Sequence, residues 1–113
     1  MPMIALTTSA HITPADETAL RAGFGRAIEL LPGKSETHLM ISFTGDTPMA
    51  FQGEKRDAAY LEVSCFGHVA PEAYAKMTGA VCALVCETLH IDTANTYVKY
   101  TETTNWGWAG RNF

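Results

Sequence analysis

Pro2 is the position in this 113-residue chain where residue type alone points to chemistry. A small residue after the initiator Met generally allows that Met to be removed, which leaves a prolyl secondary amine. An α-amino group already titrates at about 7.7–8.0. Desolvation lowers that value further, and so does a nearby cation. An amine that is neutral near pH 7 is a competent general base. Lys34 stands directly after the helix-terminating pair Pro32-Gly33. A cation there either complements the end of a helix dipole or binds a substrate carboxylate. Tyr97 and Lys99 alternate onto one face of a late β-like run, where Lys99 either pairs with Glu62 across the sheet or meets a substrate. The tail 105–113 carries Trp106, Trp108 and Phe113 where ordinary tails are frayed and polar. Its aromatics are expected to pack on another subunit or on a ligand ring. Trp106 and Trp108 fit core and pocket equally well, and Phe113 fits a core or an interface.

Other chemistries lack their signatures. There is no Gly-rich phosphate loop, no Gly-x-Ser-x-Gly elbow and no His-Glu-x-x-His. Cys65, Cys82 and Cys86 form no CxxC, which suits a reducing compartment. His11, His38, His68 and His90 are scattered, so a structural metal site is not expected. With 8 Lys+Arg against 12 Asp+Glu the net charge is −4, the wrong sign for a nucleic-acid binder. Hydrophobic residues make up 47% and charged residues 18%, which excludes a disordered chain. No run of ~18 apolar residues is present to span a membrane. No basic segment followed by an apolar one opens the chain, so a cytoplasmic protein is expected, with any export occurring without a signal peptide.

The elements that must position these residues form a doubled β-α-β unit. Residues 2–7 read as a short buried strand. Thr13-Pro14-Ala15-Asp16-Glu17 is a helix start: Thr13 can accept from the Asp16 amide, Pro14 suits the first helical position, and the acids favour the positive end of the dipole. Leu20, Phe24, Ala27, Ile28 and Leu31 follow at helical spacing. Residues 38–44 read as a second strand. Strand 59–66, a helix from Pro71 with Met77, Val81, Leu84 and Val85 inward, and strand 96–101 repeat the order. The halves align without gaps at an offset of 57, with Pro14 on Pro71, Phe24 on Val81 and Ile41 on Val98. The expected architecture is a single α/β (α+β) domain over 1–113, with pseudo-repeats at about 2–45 and 59–102 and a tail at 103–113. It has a four-stranded mixed sheet with two helices on one face. The opposite face would carry Met40, Ser42, Tyr60, Glu62, Ser64, Tyr97 and Lys99. That set is too apolar for water and too polar for a core. Parallel pairs are rarely left open on one side, so neighbouring subunits should cover it.

The residues resemble the macrophage migration inhibitory factor family of the tautomerase superfamily. The likeness rests on Pro2-Met3-Ile4, Gly33-Lys34, Pro48-Met49-Ala50-Phe51-Gln52-Gly53, Tyr97, and Asn105-Trp106-Gly107-Trp108 with terminal Phe113. It spans essentially the whole chain. The resemblance implies a homotrimer around a central channel with three sites at subunit interfaces. It implies cofactor-free keto–enol tautomerisation of phenylpyruvate-type acids and dopachrome-type substrates. Carried over, Pro2 is the base, and Lys34 with the Phe66 backbone amide holds the substrate carboxylate. Tyr97 and Lys99 come from the neighbouring subunit, while Cys65, His38, Trp106, Trp108 and Phe113 complete the substrate slot. Several positions depart from the animal cytokine. Lys99 replaces an Asn, which favours a phenolate or a second carboxylate. Phe66 and Trp106 replace smaller aliphatic residues and narrow the slot. The cytokine's CxxC falls on Ala58-Ala59-Tyr60-Leu61, and the Arg of its receptor-mimicking loop falls on Thr13, although Asp46 persists. A cytokine-like, receptor-binding protein with vestigial activity is therefore the secondary expectation.

Overall fold

A computed structural model describes residues 1–113. Strand β1 (Pro2–Thr8) runs into helix α1 (Pro14–Ala27), which returns to strand β2 (Met40–Thr44). Two short strands, β3 (Ala50–Phe51) and β4 (Glu54–Lys55), make a hairpin. Strand β5 (Ala59–Phe66), helix α2 (Pro71–Leu89) and strand β6 (Thr96–Thr103) repeat the first half. A last hairpin, β7 (Gly107–Trp108) with β8 (Arg111–Asn112), forms the tail. The sheet order is β2-β1-β5-β6. The β1–β2 and β5–β6 pairs are parallel, and the central β1–β5 pair is antiparallel. Each half is thus one crossover unit, and the halves join back to back, as the repeat predicts.

Alternation decides which face is covered. Ile4 and Leu6 of β1 and Leu61, Val63 and Cys65 of β5 are buried. They meet Leu20, Phe24 and Ile28 from the first half and Met77, Val81 and Val85 from α2 in one cluster. Opposite lie Met40 and Tyr97, 65% and 63% exposed, so two large side chains stand on an uncovered sheet face.

Local chemistry sets the element ends. Thr13 Oγ1 accepts from the Asp16 amide at 3.1 Å and Asp16 Oδ2 accepts from the Thr13 amide at 3.1 Å, a reciprocal box at the start of α1. The apolar spacing suggests a helix to Leu31. The α-helix instead ends at Ala27 and tightens to a 3₁₀ turn over Ile28–Leu30, before Gly33 takes a φ of +77°. The second strand starts at Met40 rather than at residue 38. The Ser35 hydroxyl accepts from the Thr37 amide and folds Glu36–His38 into a 3₁₀ turn, which takes His38 out of the strand. The tail turns at Ala109-Gly110, both with positive φ, as a two-residue hairpin requires.

Candidate active site

Register places the chemistry at one end of the sheet. Pro2 opens β1 and pairs with Cys65, which pairs with Glu102 of β6. Pro2 is buried, with its side chain in phase with Ile4 and Leu6. Beyond the end of the first helix, Lys34 reaches across to this end of the sheet. Its Nζ donates to the Phe66 carbonyl oxygen at 2.8 Å, a partly buried bond. The Phe66 amide donates to the Met1 carbonyl oxygen at 3.1 Å. One residue therefore gathers the lysine and the start of the chain through its two backbone groups. The terminal amine is held below its usual 8.0, first by burial and then by the Lys34 charge, with Cys65 opposing weakly.

Beside Pro2 is a cavity of about 700 Å³, lined among others by Met1, Pro2, His38, Met40, Trp106 and Trp108. That volume is in the range of small-molecule sites. Its wall continues as an aromatic chain. His38 meets Trp108 edge-on at 5.5 Å, Trp108 meets Phe113 at 6.4 Å, and Phe113 meets Phe66 at 5.5 Å. Turning His38 out of the strand is what lets it face Trp108. The β7–β8 hairpin, whose closing bond runs from the Phe113 amide to the Trp106 carbonyl, carries the remaining rings. So Pro2, Lys34, Phe66, His38, Trp106, Trp108 and Phe113 gather in one region.

Three other candidates lie differently. Cys65 is fully buried beneath this region, and burial pushes its thiol up from 9.0. Tyr97 pairs with Tyr60, five residues from Cys65 along β5, or about 17 Å at the usual strand rise. It meets Phe51 edge-on at 5.2 Å and lines a separate cavity of about 320 Å³. Lys99 is on the same open face and comes within 3.8 Å of Glu62. Neither can reach Pro2 within one chain.

No sequence motif marks Glu102, whose carboxylate binds His68, Val69 and Tyr74 just past Phe66. The available signal was its phase. It shares the helix-facing side of β6 with Val98 and Tyr100, an unusual phase for a carboxylate.

The sequence profile described as macrophage migration inhibitory factor (MIF) matches residues 1–113. The structure is similar to that of Leishmania major MIF2, with a TM-score of 0.94 and 32% identity over 100% of this chain and 97% of that one. It is also similar to a MIF homologue from Prochlorococcus marinus, with a TM-score of 0.89 and 25% identity over 98% of both chains. MIF from Toxoplasma gondii shares the fold, with a TM-score of 0.90 at 23% identity over 98% of this chain and 99% of that one. No curated protein matches the sequence. With the profile matched from end to end and the β-α-β duplication in place, this chain belongs to the macrophage migration inhibitory factor family.

Proposed function

We propose that the protein is a cofactor-free keto–enol tautomerase acting on phenylpyruvate-type 2-oxo acids and on dopachrome-type substrates, with the Pro2 nitrogen of the Met1-processed chain as its base. The observation that carries this reading is geometric: the Lys34 ammonium is fixed on Phe66 beside the start of the chain, next to the cavity that Pro2 lines, and burial and that charge lower the Met1 amine below its usual value. The Pro2 nitrogen, freed one residue deeper in the same pocket, would meet the same two influences. A neutral amine there takes a proton from C3 of the keto acid. Charge then builds on the C2 oxygen and the carboxylate, where Lys34 offsets it in a partly dry site. The proton returns to the oxygen end of the enol system and the amine is regenerated.

Met1 removal serves the chemistry twice. With Met1 attached, the Pro2 nitrogen is an amide without a basic lone pair. The Met1 carbonyl also occupies the Phe66 amide. Processing frees both groups together, so the Phe66 N–H becomes available to a substrate carboxylate beside Lys34.

Tyr97 and Lys99 join the site in this reading only from a neighbouring subunit, as a homotrimer would allow. The exposed face bearing Met40 and Tyr97 supports that assembly.

The test is ketonisation of phenylenolpyruvate by protein whose intact mass shows Met1 absent. Pro2→Gly should reduce kcat/KM by roughly 10²–10⁴-fold, the usual contribution of a general base, with folding intact. Turnover in Pro2→Gly equal to wild type would remove Pro2 from the mechanism.

A further inference from the structure

The turn after β5 is pinned from one distant carboxylate. Phe66 ends the strand, and Gly67, at a φ of +87°, reverses the chain. The Gly67 amide donates to the Thr103 carbonyl at 2.9 Å. Two residues on, the Val69 amide donates to Glu102 Oε2 at 2.8 Å. The Tyr74 hydroxyl donates to the same oxygen at 2.7 Å, and His68 Nδ1 lies 3.1 Å from Oε1. All three carboxylate contacts therefore fall within 68–74. Helix α2 begins there with Pro71 in its first turn and no side-chain cap of its own, since Ala70 is the N-cap residue. A carboxylate at that end satisfies a free amide and faces the positive end of the dipole. Tyr74 is held in turn by stacking on Tyr100 at 4.2 Å between centroids.

Phe66 is the residue that this turn must place. Its carbonyl receives Lys34, and its amide is the donor freed by processing. We propose that Glu102 is a positioning residue for the active site: by tying His68, Val69 and Tyr74 to the end of β6, it sets where Phe66 presents its two backbone groups to Lys34 and to the substrate carboxylate. The inference rests on the tautomerase reading for its catalytic consequence but not for its geometry. The low proton affinity of Glu102 agrees, because all three donors favour the charged form.

The test uses the processed full-length chain with Glu102→Ala, Glu102→Gln and Tyr74→Phe. Amide exchange at Gly67 and Val69 reads the turn, and KM and kcat on phenylpyruvate read the site. Glu102→Ala should speed exchange at both amides and raise KM about tenfold with kcat within about threefold, as expected for misplacement of a binding group by a fraction of an ångström. Glu102→Gln keeps an acceptor for Val69 and should recover most of that KM. Should Glu102→Ala fail to fold, Tyr74→Phe removes one bond alone and should raise KM severalfold. Gly67 exchange and KM at wild-type values in Glu102→Ala, or in Tyr74→Phe if it alone folds, would overturn the proposal, as would failure of Gln to rescue. If wild-type protein turns over no phenylpyruvate, the tautomerase reading fails, and Gly67 exchange in the variants alone decides whether Glu102 sets the turn.

Discussion

Lys34 has two separable effects, and each makes a different prediction. As a cation beside the amino terminus it lowers the amine's proton affinity, second only to burial. Fixed on the Phe66 carbonyl, it would, in the proposed mechanism, present charge to the reacting oxygens. Lys34→Gln should therefore move the acid limb of the pH–rate profile to higher pH, because the Pro2 amine loses the charge that depresses it. The same variant should lose roughly 10²-fold in kcat/KM at its own optimum, the scale of one removed electrostatic stabiliser. A profile whose acid limb stays in place would show that Lys34 does not act on the base. Lys99 makes a useful contrast. Its contact with Glu62 is 3.8 Å between side chains 62% and 43% exposed, so in an isolated chain it contributes about 0–1 kcal/mol.

At the scale of elements, caps carry the next predictions. The Thr13–Asp16 box joins two amides and two side chains at an exposed helix start. Thr13→Ala should cost about 1 kcal/mol in urea denaturation, and Thr13→Ser should recover most of it. Glu102 serves α2 from another strand, so its contribution depends on pH. Its carboxyl is pushed from 4.5 down to about 2 by Tyr74, the Val69 amide and His68, in that order. A depressed carboxylate stabilises the fold above its unfolded value, and that stability is lost as pH falls from about 4.5 through about 2. The groups facing it are the Tyr74 hydroxyl and the His68 imidazole, with Cys65 beyond Tyr74. Denaturation of wild type against Glu102→Gln across that window should show a steeper acid loss in wild type. Parallel curves would mean that the contacts do not persist in solution. These elements also mark how far the sequence can be read. The doubled β-α-β order, the Thr13 box and the covered face follow from alternation and spacing, which are local. The β3–β4 and β7–β8 hairpins have two-residue strands, too short for any period to register. The long-range ties at this end of the sheet run from Lys34 to Phe66 and from Glu102 to Val69, 32 and 33 residues apart. Residue types pick out Lys34 because a cation after a helix end has two uses, but no spacing marks Phe66 as its partner. Glu102 is concealed by the same distance.

For the whole molecule, the question is whether Tyr97 and Lys99 serve a site on another chain. Both stand on the sheet face away from the helices, and Tyr97 is about 17 Å along the strands from the register of Pro2. A face that exposes Met40 and Tyr97 over parallel strand pairs is of the kind that other chains cover. In a ring of subunits joined head to tail, each interface sets one patch of a chain against a different patch of the next, so residues far apart in one chain can share a site. That arrangement predicts complementation. Pro2→Gly protein and a Tyr97→Ala/Lys99→Ala protein are each expected to be nearly inactive. If they are unfolded together in equal amounts and refolded, each site draws its proline and its Tyr97–Lys99 pair from independent chains. Roughly a quarter of the sites should then regain both, and activity should rise to about that fraction of wild type. Mixing the folded variants without exchange provides the baseline. Refolded mixtures no more active than that baseline would mean that Tyr97 and Lys99 do not serve a proline on another chain, and the aromatic cavity beside Pro2 would then have to bind and turn over its substrate without them.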